Sequence, residues 1–122
     1  VRLLLDTSAL IRWHANQLRP AAAHAVRRAD LVVVSAVSSW EIAIKRGLGK
    51  LRFDDPVDEV LVQNGFRPLA VTVRHGDLLR ELPRHHPDPF DRLLIVQALD
   101  EGLSILTSDR AFEPYRVPVV WA

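Results

Sequence analysis

A three-layer α/β/α sandwich around a mainly parallel sheet is the fold this sequence predicts, and three observations predict it. Short apolar runs, Leu3-Leu4-Leu5, Leu31-Val32-Val33-Val34 and Ile105-Leu106, are continuous rather than alternating, as in strands buried on both faces. Longer amphipathic stretches separate them, so strands and helices alternate along the chain, which parallel pairing with helical crossovers requires. The 122 residues, 48% hydrophobic and 25% charged, are enough for one core and suit a single domain over residues 1–122.

Each element follows from local chemistry. Val1 to Asp6 reads as the first strand, and Thr7 or Ser8 can cap a helix running through Trp13. Pro20 opens a helical stretch, Ala21 to Ala29, since a first-turn proline loses no hydrogen bond. Leu31 to Val34 is a buried strand. Ser38 to Leu48 is helical, with Trp40, Ala43, Ile44 and Leu48 as its apolar stripe and Gly47 and Gly49 as its exit. Asp55-Pro56 begins a helix that Gly65 ends, and Pro68 to Val73 is a short strand. Asp77 to Leu82 is helical and stops at Pro83, and the prolines at 83, 87 and 89 make the intervening segment a loop. Phe90 to Leu99 carries the buried-helix pattern Leu94, Ile95, Ala98, Leu99, closed by Gly102. Ser104 to Thr107 and Val117 to Trp121 are the late strands.

Composition narrows the function classes. The sequence contains neither a bilayer-length apolar stretch nor a charged-then-apolar leader, so no membrane role is expected. Without cysteine there is no disulfide frame and no thiolate metal site, which fits a cytoplasmic protein.

Four acids stand out: Asp6, Glu41, Asp91 and Asp109. Each lies where a strand or loop hands over to a helix, the edge at which open parallel sheets bind ligands. Singly, each has a structural explanation. Ser38-Ser39-Trp40-Glu41 matches a capping box, and Glu41 can pair with Lys45 one turn on. Asp88 can cap the helix that Pro89 opens, placing Asp91 at its third position, while Asp6 and Asp109 can cap the turns that follow them. Jointly they need more than caps. Two carboxylates about 4 Å apart repel by ~4 kcal/mol at a surface-like dielectric, so a cluster at one edge calls for a hard divalent cation. Setting the four aside leaves 11 of the 15 acidic residues against 16 basic ones. That balance around a filled acidic pocket suits a phosphate backbone, while charge alone is read first as a mixed solvated surface.

The blocks around these acids resemble the PIN-domain ribonucleases of the VapC toxin kind. They are Leu4-Leu5-Asp6-Thr7-Ser8-Ala9-Leu10, Ser38-Ser39-Trp40-Glu41-Ile42-Ala43-Ile44-Lys45, Pro87-Asp88-Pro89-Phe90-Asp91-Arg92-Leu93-Leu94-Ile95 and Leu106-Thr107-Ser108-Asp109. The resemblance implies a PIN-like fold, and Asp6, Glu41, Asp91 and Asp109 as an acidic quartet holding Mg²⁺ or Mn²⁺. Asp6 and Asp91 are the expected direct ligands, with Thr7 and Thr107 supporting through their hydroxyls; Asp88 stays a cap. It further implies hydrolysis of RNA phosphodiesters, a VapB-like antitoxin whose tail covers the acidic pocket, and a homodimer. The alternative is a catalytically silent module whose acids only receive a basic partner tail.

Lesser features are read more plainly. Lys45, Arg46, Lys50 and Arg52 form a basic run, and Arg92 and Arg110 flank the acids; surface charge or pairing with the quartet is expected ahead of phosphate contact. His85-His86 is expected in an exposed loop without a metal role. Trp13, Trp40 and Trp121 are expected in the core or a dimer interface rather than as base-stacking platforms. Gly47-Leu48-Gly49-Lys50 lacks the upstream glycine and following hydroxyl of a phosphate loop. A phosphoaspartyl phosphatase would need an acid where Ser8 stands, and a receiver domain a lysine in the last strand, which has none.

Overall fold

The computed structural model describes residues 1–122. Its elements are β1 (Arg2–Leu5), α1 (Thr7–His14), α2 (Pro20–Arg28), β2 (Leu31–Ser35), α3 (Ala36–Gly47), α4 (Val57–Asn64), β3 (Arg67–Leu69), α5 (Val73–Leu78), α6 (Pro89–Glu101), β4 (Ser104–Thr107) and β5 (Val119–Trp121). Short 3₁₀ turns occupy Leu79–Glu81 and Arg110–Phe112. The strands form one sheet in the order β3-β2-β1-β4-β5. Every pairing is parallel, with Leu4 opposite both Val33 and Ile105. The sandwich is as predicted, and its sheet is wholly parallel.

The continuous apolar runs are explained by burial on both sides. Along each central strand neighbouring side chains enter different cores. Leu5, Val32, Val34 and Leu106 join Ala9 and Leu10 of α1, Ala22 and Val26 of α2, and Val60 and Leu61 of α4. Leu4, Val33 and Ile105 join Leu94, Ile95 and Ala98 of α6 together with Phe112 and Tyr115. The edge strands β3 and β5 are only three residues long. Pro68 sits on the β3 edge, where a missing N–H leaves no ladder bond unmade. No helix is long and apolar enough to cross a membrane.

Five local readings are corrected. Asp6, not Thr7 or Ser8, caps α1: its carboxylate accepts from the N–H of Ala9 at 2.7 Å. α3 begins two residues earlier than predicted, because the Ser35 hydroxyl accepts from the N–H of Val37 and caps it; the Ser38–Glu41 capping box does not form. The α3 stripe is also inverted. Val37, Ser38, Glu41 and Ile42 face inward, whereas Trp40 is 60% and Leu48 63% exposed. The strand predicted for Pro68 to Val73 stops at Leu69, since the Thr72 hydroxyl accepts from the N–H of His75 and starts α5 there. The last strand keeps only Val119–Trp121 of its predicted span.

Candidate metal centre

The strand order creates the crevice. From β1 the chain steps one way to β2 and β3, and later returns to place β4 and β5 on the other side. Connections leaving the carboxyl ends of β1 and β4 therefore diverge, opening a gap at this switch point. The N–H of Asp6 reaches the carbonyl of Leu106 at 3.1 Å across that gap. Asp6 lies immediately after β1 and Asp109 two residues after β4. Glu41 comes from α3, which follows β2. Asp91 is the third residue of α6, whose N-terminus meets the same edge because the helix runs back to feed β4. All four line one cleft of about 380 Å³, with Asp88, Lys45 and Lys50 at its walls.

Each carboxylate is held in its own way. Asp6 is 4% exposed; one oxygen takes the Ala9 N–H and the other the Thr107 hydroxyl proton at 2.5 Å. The Thr107 oxygen in turn accepts from the N–H of Asp109 at 3.0 Å, so one hydroxyl ties Asp6 to Asp109. Asp109 also caps the 3₁₀ turn through the N–H of Ala111. The Thr7 hydroxyl donates to Ser38 at 2.9 Å, locking the helix that Asp6 caps against the helix that carries Glu41. Asp88 caps α6 through the N–H groups of Phe90 and Asp91, as expected.

The electrostatics favour a cation. Burial pushes the Asp6 carboxyl above its ordinary range, against the pull of its Thr107 and Ala9 hydrogen bonds, and the charges of Asp109 and Glu41 add to the rise. Asp91 is pushed up to about 7, first by burial, then by the charges of Asp88 and Asp6. Lys45 donates to Glu41 Oε2 at 2.7 Å, and that bond raises the lysine above its usual value. The other oxygen, Glu41 Oε1, is buried without a hydrogen-bond partner. A buried carboxylate oxygen left alone is costly. Oxygen-only donors, mutual repulsion and one orphaned oxygen fit a hard divalent ion better than a further side chain.

Other predicted contributors lie elsewhere. Neither Arg92 nor Arg110 pairs with the acids. Arg92 donates to the carbonyls of Pro83 and Leu82, and Arg110 lies 4.1 Å over the Trp121 ring. Lys45 alone of the basic run meets the quartet directly. His86 is the residue the sequence reading missed. It is only 8% exposed, and its Nε2 lies 3.1 Å from both Asp91 Oδ2 and Asp109 Oδ2. Its proximity in sequence to the Asp88 cap was the available signal, because a cap fixes the residues just before a helix.

Two other features compete with this site and are weaker. A roomier hollow, about 660 Å³ between α5, α6 and the 114–116 segment, holds no comparable convergence of carboxylates. A second group, His75, Asp100 and Glu101, also brings ligand-type atoms together. There His75 Nδ1 accepts from the N–H of Thr72 at 3.0 Å, which leaves the proton on Nε2 facing the acids. It is a satisfied buried donor.

Comparison with known proteins bears on the family and the fold. The family model described as "PIN domain" matches residues 3–117. Ribonuclease VapC22 of Mycobacterium tuberculosis (strain ATCC 25618 / H37Rv) is 31% identical over 127 residues, covering 98% of both chains. Three solved structures share the fold at identities too low to show more. VapBC2 from Rickettsia felis, bound to a DNA fragment of its promoter, superposes with a TM-score of 0.70 at 14% identity, covering 99% of this chain and 98% of its own. A toxin-antitoxin complex from Klebsiella pneumoniae gives 0.69 at 16%, covering 97% and 95%. DNA-bound VapBC from Salmonella typhimurium gives 0.68 at 20%, covering 99% and 98%.

Proposed function

This chain belongs to the PIN domain family, and we propose that it is a VapC-type toxin: a divalent-metal-dependent endoribonuclease neutralised by a VapB-like antitoxin. One observation supports it above the others. Four carboxylates from four separate segments meet at the β1/β4 switch point, with a buried Glu41 oxygen that no protein group satisfies. The VapC22 ribonuclease relative and the toxin-antitoxin complexes of like fold point the same way. The proposal extends to Mg²⁺ or Mn²⁺ as the ion, to a homodimer, and to a cytoplasmic site of action.

Asp6, Asp91, Asp109 and Glu41 would hold the ion, which when bound activates water and offsets the charge that develops on a phosphoryl group under attack. The remaining work belongs to the chain. Thr107 ties the Asp6 carboxylate to the Asp109 backbone through one shared hydroxyl. Thr7 and Ser38 tie α1 to α3, which keeps Glu41 and Asp6 in the same cleft. Lys45 balances the single negative charge of Glu41 and, with Lys50, puts positive charge on the cleft wall where an RNA backbone would approach. Asp6 and Glu41 are buried behind these lysines, while Asp109 shares the open rim of the cleft with Lys45.

The test is cleavage of RNA by purified protein. Cutting should require Mg²⁺, vanish with EDTA and return with Mn²⁺. Asp6→Asn should abolish it while leaving the circular dichroism spectrum unchanged. Cleavage at the wild-type rate by that variant, or in EDTA, overturns the assignment. Antitoxin binding and the dimer are checked by co-expression with a VapB-like protein and by light scattering of the purified chain.

A further inference from the structure

His86, Asp91 and Asp109 place one nitrogen and two oxygens within 4.8 Å of one another, which invites reading the histidine as a third metal ligand. The rest of the ring argues otherwise. His86 Nδ1 accepts the backbone N–H of Asp88 at 3.1 Å. A nitrogen that accepts a hydrogen bond carries no proton of its own, so the ring proton sits on Nε2. A ligand needs a bare Nε2, and that would force a proton onto Nδ1, directly against the N–H of Asp88. Nε2 is therefore a donor. It reaches Asp109 Oδ2 with hydrogen-bond geometry and lies equally close, at 3.1 Å, to Asp91 Oδ2.

The loop gives the ring little freedom to leave this pose. The Tyr115 hydroxyl accepts the backbone N–H groups of His85 and His86, at 3.0 and 2.8 Å. Arg92 clasps the same hydroxyl and the carbonyls of Pro83 and Leu82. The His86 ring rests edge-on against Phe112, with centroids 5.6 Å apart. Asp109, by contrast, is 46% exposed at its side chain and follows the last residue of β4 by two positions. One Asp109 oxygen, Oδ1, takes the N–H of Ala111 at 2.9 Å, which leaves Oδ2 to be fixed by another donor.

We propose that His86 is a positioning residue of the metal centre: an Nε2–H donor, its tautomer set by the Asp88 backbone, that fixes the Asp109 carboxylate beside Asp91 and does not itself bind the ion. This rests on the metal reading above. Loss of such an outer partner typically weakens metal binding 10–100-fold. Gln places an amide N–H₂ near the position of the imidazole Nε2, so it should restore the hold on Asp109, whereas Ala should not.

The experiment combines Mn²⁺ titration by calorimetry with ¹⁵N imidazole NMR. Wild type should bind Mn²⁺, His86→Ala should bind at least about 10-fold more weakly, and His86→Gln should stay within a few-fold of wild type. In wild type, NMR should show Nε2 protonated and Nδ1 bare, both metal-free and saturated with diamagnetic Mg²⁺. Unchanged Mn²⁺ affinity in His86→Ala overturns the inference, because a merely structural loop residue would lower the melting temperature alone. So does a His86→Gln variant as weak as Ala, a proton on Nδ1, or loss of the Nε2 proton on Mg²⁺ loading. If His86→Ala fails to fold, the Gln variant and the wild-type NMR decide. Wild type that binds no Mn²⁺ overturns the metal reading and this inference together, which separates the two failures.

Discussion

Replacing Asp91 by Asn should stabilise the metal-free protein while destroying its activity. The fold holds the Asp91 carboxyl at about 7, against 3.8 for an unperturbed side chain. The folded state therefore binds this proton more tightly than the unfolded chain does. Stability should fall as pH rises between about 4 and 7, and the penalty is complete above that window. At about 1.4 kcal/mol per tenfold, the full difference is roughly 4 kcal/mol. The Asp91 side chain keeps 18% exposure and water screens part of the charge, so about 2 kcal/mol is the working figure. For a chain of this size that raises the melting temperature by roughly 5–15 °C. The assay is thermal unfolding of wild type and Asp91→Asn in EDTA at pH 5 and pH 8. Wild type should lose stability between the two, with the buried Asp6 acting in the same direction, and the variant should lose less. Saturating Mn²⁺ should reverse the order, because an ion at 100 times its Kd adds about 2.7 kcal/mol to the fold that binds it. A variant that melts no higher than wild type in EDTA at pH 8 would refute the reasoning.

Three further outcomes follow from single contacts. Lys45→Met keeps the aliphatic stem but strands Glu41 Oε2, so metal-free protein should lose about 1–3 kcal/mol in urea unfolding; the loss should shrink when Mn²⁺ is present, and an equal loss in both conditions counts against a cation near Glu41. Thr107→Val removes both the donor to Asp6 and the acceptor for the Asp109 N–H in a fully buried position. It should cost about 1–3 kcal/mol and weaken Mn²⁺ binding measured by calorimetry; a stability change below about 0.5 kcal/mol would contradict the shared-hydroxyl role. Gly102 ends α6 at φ +67°, and an added Cβ would come no nearer to another group than 3.9 Å from Arg2 Nη1. Gly102→Ala should therefore cost about 1 kcal/mol through backbone strain alone, with the metal affinity unchanged.

The fold was legible because its code is redundant. Leu3-Leu4-Leu5 and Leu31 to Val34 are short, continuous and bounded, as strands covered on both faces are, and Pro20, Pro89, Gly65 and Gly102 punctuate helices in the positions where their backbones fit. Local readings failed where a short polar side chain chose between competing partners. Ser35 rather than Ser38 caps α3, because Ser38 is taken by Thr7 from another helix. Thr72 lies in a β-branched stretch, Val71-Thr72-Val73, yet its hydroxyl caps α5 and ends the strand reading. The α3 stripe misled for a related reason. The inner face of that helix is partly polar to serve the cleft, so its most apolar face looks outward.

By itself the sequence determined the alternation of strands and helices, the parallel sheet, and four acids at the carboxyl edge, since periodicity, punctuation and residue type are local properties. Only the tertiary structure decided which of those acids are tied by one hydroxyl, which oxygen is left without a partner, and that His86 is buried against Asp91 and Asp109 rather than exposed in its loop. Those facts depend on residues as much as 101 positions apart, such as Thr107 and Asp6. Such contacts are set by chain crossing and burial, and no spacing along the chain encodes them.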